Sequence, residues 1–297
     1  MTGAEIPLEA LLQLQYPARH FALNRLGLRP LRATSGHVPR LRGRGMTFEE
    51  HRSYQPGDEP RFIDWRVSAR TGQLHVKIFR EEHERPVWLL LDRRSGMHFG
   101  SRLQFKSRLA AEACALLGWT AAHGRERVGG VVLDGGVHRS PVGSGVHGIL
   151  PWLRTAAAPP SAPQNSAEPS LQLALLHLRR TLRPGSLLVI SSDFADLNAD
   201  AESQLHEIAR HCQLILLPTV DPLESAPPNS GRFPVRRDGS VRWIDFGQKP
   251  QRAAWCQHYA RRAENLRSLA QSTRAILLPL HTSDPAVEQL APALARA

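Results

Sequence analysis

The feature that most constrains the fold is a series of short, almost continuously apolar segments in the C-terminal part of the chain. Segment 87–92 (VWLLLD) is typical, because five apolar residues run directly into one carboxylate. Apolar runs of this length indicate strands that are buried on both faces. Segments with the apolar spacing of helices separate them. The alternation predicts an α/β fold with a doubly wound, mostly parallel sheet between two layers of helices.

The same pattern gives the bounds of the predicted elements. We predict strands at 87–92, 128–134, 187–191, 213–218 and 275–279. We predict helices at 101–122, 146–154, 171–182, 200–210, 251–271 and 285–294. Residues 86–297 are therefore assigned to the α/β domain, with an irregular insert at about 221–247. The insert contains a predicted β-hairpin whose turn is Asp238-Gly239, since Asp-Gly favours the tight turns of hairpins.

Residues 1–85 differ in composition and are predicted to form an N-terminal, charged, β-rich extension. After a predicted helix at 8–14, two extended segments at 63–68 and 73–79 flank a predicted turn at Thr71-Gly72. Segment 40–85 contains ten basic and eight acidic residues. Such a balanced set favours ion pairs that fasten the extension to the sheet, and it is also compatible with a charged docking surface for another protein.

The net charge of +11 raises the question of a nucleic-acid partner. The basic residues are spread along the whole chain, whereas nucleic-acid-binding proteins usually concentrate them on one face or helix. The sequence contains no apolar run of the ~18–20 residues needed to cross a bilayer. Its three cysteines, Cys114, Cys212 and Cys256, are far apart and lack metal-binding spacing. We therefore expect free thiols in a reducing compartment and predict a cytoplasmic protein.

The most distinctive motif lies in the charged extension. Residues 52–72 have the pattern R-x-Y-Q-P-G-D-x-x-R-x-I-D-W-R-x-x-A-R-T-G. It combines a tight-turn sequence with closely spaced charged and aromatic side chains. The candidate partner-binding or structural residues of this motif are Arg52, Tyr54, Gly57, Asp58, Arg61, Asp64, Trp65, Arg66 and Arg70.

This motif resembles the signature of the domain of unknown function 58 family. Further matches extend the resemblance from about residue 8 to the end of the chain, and they include 77–86, 97–100, 127–130 and 191–194. Members of that family combine the signature with a von Willebrand factor A-like domain and commonly accompany MoxR-type AAA+ ATPases. The resemblance therefore implies a von Willebrand factor A-like fold and a non-enzymatic adaptor that is the partner of a MoxR-type ATPase.

The resemblance also implies where a metal would lie. In von Willebrand factor A domains a D-x-S-x-S run, a threonine and a later aspartate hold the ion, and Mg²⁺ prefers such oxygen ligands. Asp92 and Asp193 match the two aspartates, but Arg94 and Gly96 occupy the serine positions. Ser95 is one residue out of register, and Ser170 is the counterpart of the threonine. This predicts a degenerate magnesium site at Asp92, Ser95 and Asp193.

The alternative to a bound Mg²⁺ is that Arg94 replaces the ion by pairing with Asp92 or Asp193, and no other cofactor is expected. The same arginine would then offer its charge to an acidic side chain of a partner.

Two other classes of function stay open from the sequence. A hydrolase or nucleotide-binding enzyme would use the strand-end carboxylates, but no nucleophile–base motif or phosphate-binding loop is present. A G-x-G-x-x-G run at 143–148 follows Pro141 and not an obvious strand, which weakens its interpretation as a dinucleotide site. The other alternative is a basic nucleic-acid-binding protein. The sequence favours a non-enzymatic interaction protein over both.

Overall fold

The computed structural model describes residues 5–28, 46–56, 58, 60–81, 86–161, 168–237 and 240–295. The chain divides into two compact units, which we describe separately. The smaller unit comprises Pro30–Glu84, and the larger one comprises Met1–Arg29 together with Arg85–Ala297.

The N-terminal residues belong to the larger unit, which differs from the predicted boundary at residue 85. They form the short helices α1 (Leu8–Gln13) and α2 (Gln15–Ala18). Leu11 is fully buried, and its carbonyl oxygen accepts a hydrogen bond from the indole of Trp119 at 2.9 Å. This buried indole N–H needs an acceptor, and the backbone of α1 supplies it.

The smaller unit consists of β1 (Met46–Ser53), α3 (Trp65–Thr71) and β2 (His75–Glu81), with the two strands antiparallel. The extended segment predicted at 73–79 is confirmed for most of its length, but the one predicted at 63–68 is wrong. Asp64 accepts hydrogen bonds from the backbone N–H groups of Arg66 and Val67, so it caps a helix there. Gly72, with φ of 74°, ends that helix in the left-handed conformation.

The larger unit is built on a mostly parallel sheet, as predicted. The strands of this sheet are β3 (Pro86–Asp92), β4 (Arg127–Leu133), β5 (Val137–Ser144), β6 (Leu187–Ser192) and β7 (Gln213–Val220), together with the short strands β10 (Ile276–Leu277) and β11 (Leu280–His281). The strands β8 (Arg232–Arg237) and β9 (Ser240–Asp245) form a separate hairpin. The strand order is β10-β7-β6-β3-β4-β5, and β11 also pairs with β7. All neighbours are parallel except β5, which is antiparallel to β4 at the edge.

Helices cover both faces of this sheet. They are α4 (Lys106–His123), α5 (Gly145–Ala157), α6 (Leu171–Arg179), α7 (Ala199–Ala209), α8 (Pro222–Ser225), α9 (Lys249–Thr273) and α10 (Ala286–Leu294). Leu89 and Leu91 point into the layer that contains α4, whereas Trp88 and Leu90 point into the layer that contains α6 and α7. This division follows from the two-residue period of a strand. In the described residues, no helix has the length and apolar character needed to span a membrane.

The predicted hairpin is confirmed by the antiparallel pairing of β8 with β9, and its predicted turn at Asp238-Gly239 lies outside the described residues. The G-x-G-x-x-G run has a structural explanation. A strand, β5, does precede it, because an edge strand tolerates Pro141. A Cβ on Gly148 would lie 1.9 Å from the carbonyl oxygen of Gly143, so these glycines allow α5 to begin directly against the sheet.

We predict that Gly148→Ala lowers the free energy of unfolding by at least about 2 kcal/mol, because the contacted atoms are backbone and must shift. Gly145→Ala is the control, since Gly145 has φ of 57° but open space around its Cβ position. That change should cost only about 1 kcal/mol of backbone strain. Urea denaturation measures both values. Equal losses in the two variants would contradict the close-packing explanation.

Candidate functional site

The carboxyl ends of three parallel strands bring carboxylate and hydroxyl side chains to one edge of the sheet. Asp92 ends β3, Asp193 follows β6, and Asp221 follows β7. The parallel register pairs Leu91 with Ser191, so Asp92 and Asp193 lie at the same edge. The surrounding hydrogen bonds determine what this edge can do chemically.

Arg94 lies between two carboxylates. Its Nε and Nη2 atoms donate to the two oxygens of Asp92 at 2.9 and 2.7 Å, and the hydroxyl of Ser192 donates to Asp92 at 2.6 Å. On the other side, Nη2 donates to Asp196 at 2.9 Å and Nη1 forms a second bond to the same carboxylate. Burial alone would lower the pKa of Arg94, but the bonds to Asp92 and Asp196 outweigh it and raise the pKa.

This geometry confirms the predicted pairing of Arg94 with Asp92 and adds Asp196, which the sequence analysis missed. The hypothesis that Arg94 offers its charge to an acidic side chain of a partner stays a prediction, and the geometry shows what such binding would require. Both sides of its guanidinium fork already bind carboxylates, and Nη1 also lies 3.4 Å from the carbonyl oxygen of Pro169. A further carboxylate would have to displace one of them.

Lys106 is the second internal cation of this edge, and it was also missed as a site residue. Its buried ammonium donates to Asp193 at 2.9 Å and to Glu224 at 2.8 Å. Burial lowers the pKa of Lys106, yet the two carboxylates raise it more, so the lysine stays charged. Burial raises the pKa of Asp193, but the opposite effect of the charge of Lys106 is larger. The pKa of Asp193 is therefore below its ordinary value.

The residues of the predicted magnesium site do not fit a divalent cation. The carboxylate of Asp92 is paired with Arg94, and that of Asp193 is paired with Lys106. Ser95 turns away, since its backbone N–H and its hydroxyl donate to Glu168 at 2.8 and 2.9 Å. Across the described ranges, no group of three or more His, Cys, Asp or Glu side chains is placed to hold an ion. The cationic side chains of Arg94 and Lys106 therefore bind the carboxylates that a metal ion would need as ligands.

A third carboxylate fixes this arrangement from the side of β7. Asp221 is fully buried and accepts bonds from the hydroxyls of Ser101 and Thr282, each at 2.6 Å. It also caps α8, and Glu224 completes a capping box by accepting from the backbone N–H of Asp221 at 3.0 Å. Because Glu224 binds Lys106 with its other oxygen, the helix cap and the buried ammonium form one connected network.

The signature residues of the smaller unit form their own local contacts. Arg52 pairs with Asp58 at 2.8 Å, and the backbone N–H of Gln55 also donates to Asp58. That backbone bond and the arginine lower the pKa of Asp58. The guanidinium of Arg61 lies 4.8 Å from the ring centre of Phe62.

The remaining signature positions differ in how far they are exposed to solvent. Tyr54 is half-buried, whereas Arg66 and Arg70 are exposed on α3. Trp65, the first residue of α3, exposes 66% of its surface. Gly57 lies outside the described residues. The local pair of Arg52 with Asp58 and the helix cap by Asp64 account for part of the charge density, and the predicted docking role stays a prediction.

We predict that Lys106→Met lowers the free energy of unfolding by about 3–5 kcal/mol, because it leaves the carboxylates of Asp193 and Glu224 without their cation. Arg108→Met is the matched control on the same helix. Arg108 pairs with Glu112 at the surface, and its loss should cost about 0.5 kcal/mol or less. Chemical denaturation at neutral pH measures both. The double variant Lys106→Met, Asp193→Asn should recover part of the loss, and similar small losses in both single variants would show that the ammonium is dispensable.

The lowered pKa values at this edge predict loss of stability in acid. Burial raises the pKa of Asp196, but its bond to Arg94 lowers it more, and the same sign holds for Asp193. A carboxyl group with a lowered folded-state pKa stabilises the protein above its unfolded-state pKa, and this contribution is lost as the pH falls through the folded value. The free energy of unfolding should therefore decrease below about pH 4.

The pH dependence is measured by urea denaturation between neutral and acidic pH. Asp196→Asn should flatten the acid limb, whereas Asp200→Asn, at an exposed position of α7, should leave it unchanged. An acid limb of the same slope in Asp196→Asn as in the wild type would contradict the assignment.

The sequence is similar to a family of unknown function and to uncharacterized bacterial proteins. A family model described as "Protein of unknown function DUF58" matches residues 50–265. An uncharacterized protein of Mycobacterium tuberculosis is 32% identical over 196 residues, which are 66% of this chain and 61% of that protein. The uncharacterized protein YeaD of Bacillus subtilis is 44% identical over 48 residues, which are 16% of this chain and 12% of YeaD. The chain thus matches about three fifths of the length of its mycobacterial relative.

Among solved structures, the conserved hypothetical protein BatB from Bacteroides thetaiotaomicron aligns with a TM-score of 0.44 and 16% identity, over 70% of this chain and 95% of BatB. The family model extends over more than half of the sequence and includes the whole signature segment, residues 52–72. The chain therefore belongs to the DUF58 family of proteins of unknown function.

Proposed function

We propose that this protein is a non-enzymatic interaction protein, an adaptor that binds a MoxR-type AAA+ ATPase in complex assembly or chaperone-like work in the cytoplasm. We also propose that its larger unit is a von Willebrand factor A-like domain. The strand order, with one antiparallel strand at the β5 edge, supports this finer assignment. The presence of Asp92 and Asp193 at one strand edge supports it as well, because ligands of doubly wound folds bind at that edge.

The observation that carries the proposal is the internal neutralisation of the strand-edge carboxylates. Asp92 and Asp196 share Arg94, and Asp193 and Glu224 share Lys106. A carboxylate held in this way is a poor general base, since its charge is committed to a neighbouring cation. It also does not require a divalent ion to be stable. The arrangement favours a rigid recognition domain over a hydrolase that works with these carboxylates.

The signature segment offers a contact surface of suitable chemistry. Trp65 is 66% exposed at the start of α3, and Arg66 and Arg70 are exposed on the same short helix. Tryptophan and arginine are the residues that most often dominate the free energy of protein–protein binding. We therefore propose that the ATPase contacts this helix. The binding would not depend on a bridging metal ion.

We predict that Trp65→Ala weakens binding to the MoxR-type ATPase of the same cell at least tenfold, which is about 1.4 kcal/mol. Trp243→Ala is the matched control, because Trp243 is 61% exposed but lies on the hairpin strand β9. Its affinity should remain within twofold of the wild type. Affinity is measured by calorimetry at fixed ionic strength without nucleotide, because the ATPase itself uses Mg²⁺ with nucleotide.

The same titration with EDTA tests the metal-independent mode of binding. The wild-type affinity should not change. A tenfold loss on chelation would mean that a divalent ion takes part in the interface, and absence of binding under every condition would refute the proposed partner. Equal losses in Trp65→Ala and Trp243→Ala would refute the proposed contact helix.

A further inference from the structure

A cleft of about 510 Å³ lies at the amino edge of the sheet, opposite the edge that carries Asp92 and Asp193. Its lining includes Arg127 at the start of β4, Arg139 on β5, and Arg183 in the segment between α6 and β6. Three separate elements of the larger unit thus bring guanidinium-bearing residues to one cavity. Neither the signature helix nor the strand-edge ion pairs take part in it.

The electrostatics of the cleft favour an anion. Among the described residues that line it, none is Asp or Glu. Arg139 is held in place by a hydrogen bond from its Nη2 to the hydroxyl of Thr181 at 2.7 Å. The backbone of Arg183 is fixed as well, since its N–H donates to Ser186 at 3.3 Å. Arg139 and Arg183 therefore offer positive charge to this cleft, and a bound anion would be attracted to it.

The floor of the cleft is apolar. Trp88 is 5% exposed and contributes to the lining together with Val142. A cavity of this size takes a small organic molecule, and apolar walls with a few placed polar groups are typical of such sites. The ligand should therefore combine a compact planar or apolar body with an anionic group.

The number and placement of the arginines favour a phosphate monoester. A carboxylate is matched by one guanidinium fork, whereas a dianionic phosphate presents three oxygens that can accept from several arginines on different sides. We propose that this cleft binds a small phosphate monoester whose ring lies against Trp88 and whose phosphate is held by Arg139 and Arg183. The proposal is independent of the ATPase partner proposed above.

Phenyl phosphate is the probe, and isothermal titration calorimetry with the full chain is the measurement. Binding should be submillimolar and should weaken with rising salt. Arg139→Gln and Arg183→Gln should each weaken it at least fivefold. Arg180→Gln is the charge-matched control, because Arg180 is exposed and does not line the cleft, and its affinity should stay within twofold. Inorganic phosphate should bind at least fivefold more weakly, since it cannot contact the apolar floor.

Several outcomes would overturn the proposal. Absence of binding at 10 mM phenyl phosphate, or an equal loss of affinity in Arg180→Gln, would show that no specific site exists. Equal affinities for inorganic phosphate and phenyl phosphate would show that Trp88 has no role. Binding of a phosphopeptide or a 5′-phosphorylated oligonucleotide without binding of phenyl phosphate would show that the partner is a macromolecule. Thermal unfolding of each variant without ligand confirms that the substitutions leave the fold intact.

Discussion

The buried ammonium of Lys106 is the interaction on which the carboxyl edge of the sheet depends. Lys106 is the first residue of α4, where the helix dipole disfavours a cation and where burial removes solvation. The contacts with Asp193 and Glu224 offset both penalties. These two residues come from the end of β6 and from α8, so the ammonium joins three elements that are distant along the chain.

Arg94 connects the neighbouring elements in the same way, because it joins Asp92 at the end of β3 to Asp196 beyond β6. A divalent ion could organise comparable carboxylates, but an ion is exchangeable and keeps positions open for a ligand. A lysine and an arginine are covalently part of the chain and leave no open coordination position. Under the proposed function, recognition must therefore come from side chains at a surface, and the exposed Trp65 on α3 meets that requirement.

The central sheet could be predicted because strands such as β3 and β6 are buried on both faces and are apolar without interruption. The common edge of Asp92 and Asp193 followed from the parallel arrangement. The partners of Lys106 could not be predicted, since Asp193 and Glu224 are 87 and 118 residues away and a lysine at a helix start usually faces solvent. Helix α3 was missed because Ile63, Trp65 and Val67 favour strands, although the cap residue Asp64 was a readable signal.

The distribution of charge along the chain also differs from its distribution in space. The basic residues are spread along the whole sequence, but the fold brings Arg127, Arg139 and Arg183 to one cleft at the amino edge. At the opposite edge, Arg94 and Lys106 are surrounded by carboxylates. A polynucleotide needs an extended row of cations that follows its backbone, whereas a cleft of about 510 Å³ accommodates a single anionic group with a small body. Among the described residues, the arginines of this cleft thus favour the small phosphate ligand proposed above over a polynucleotide.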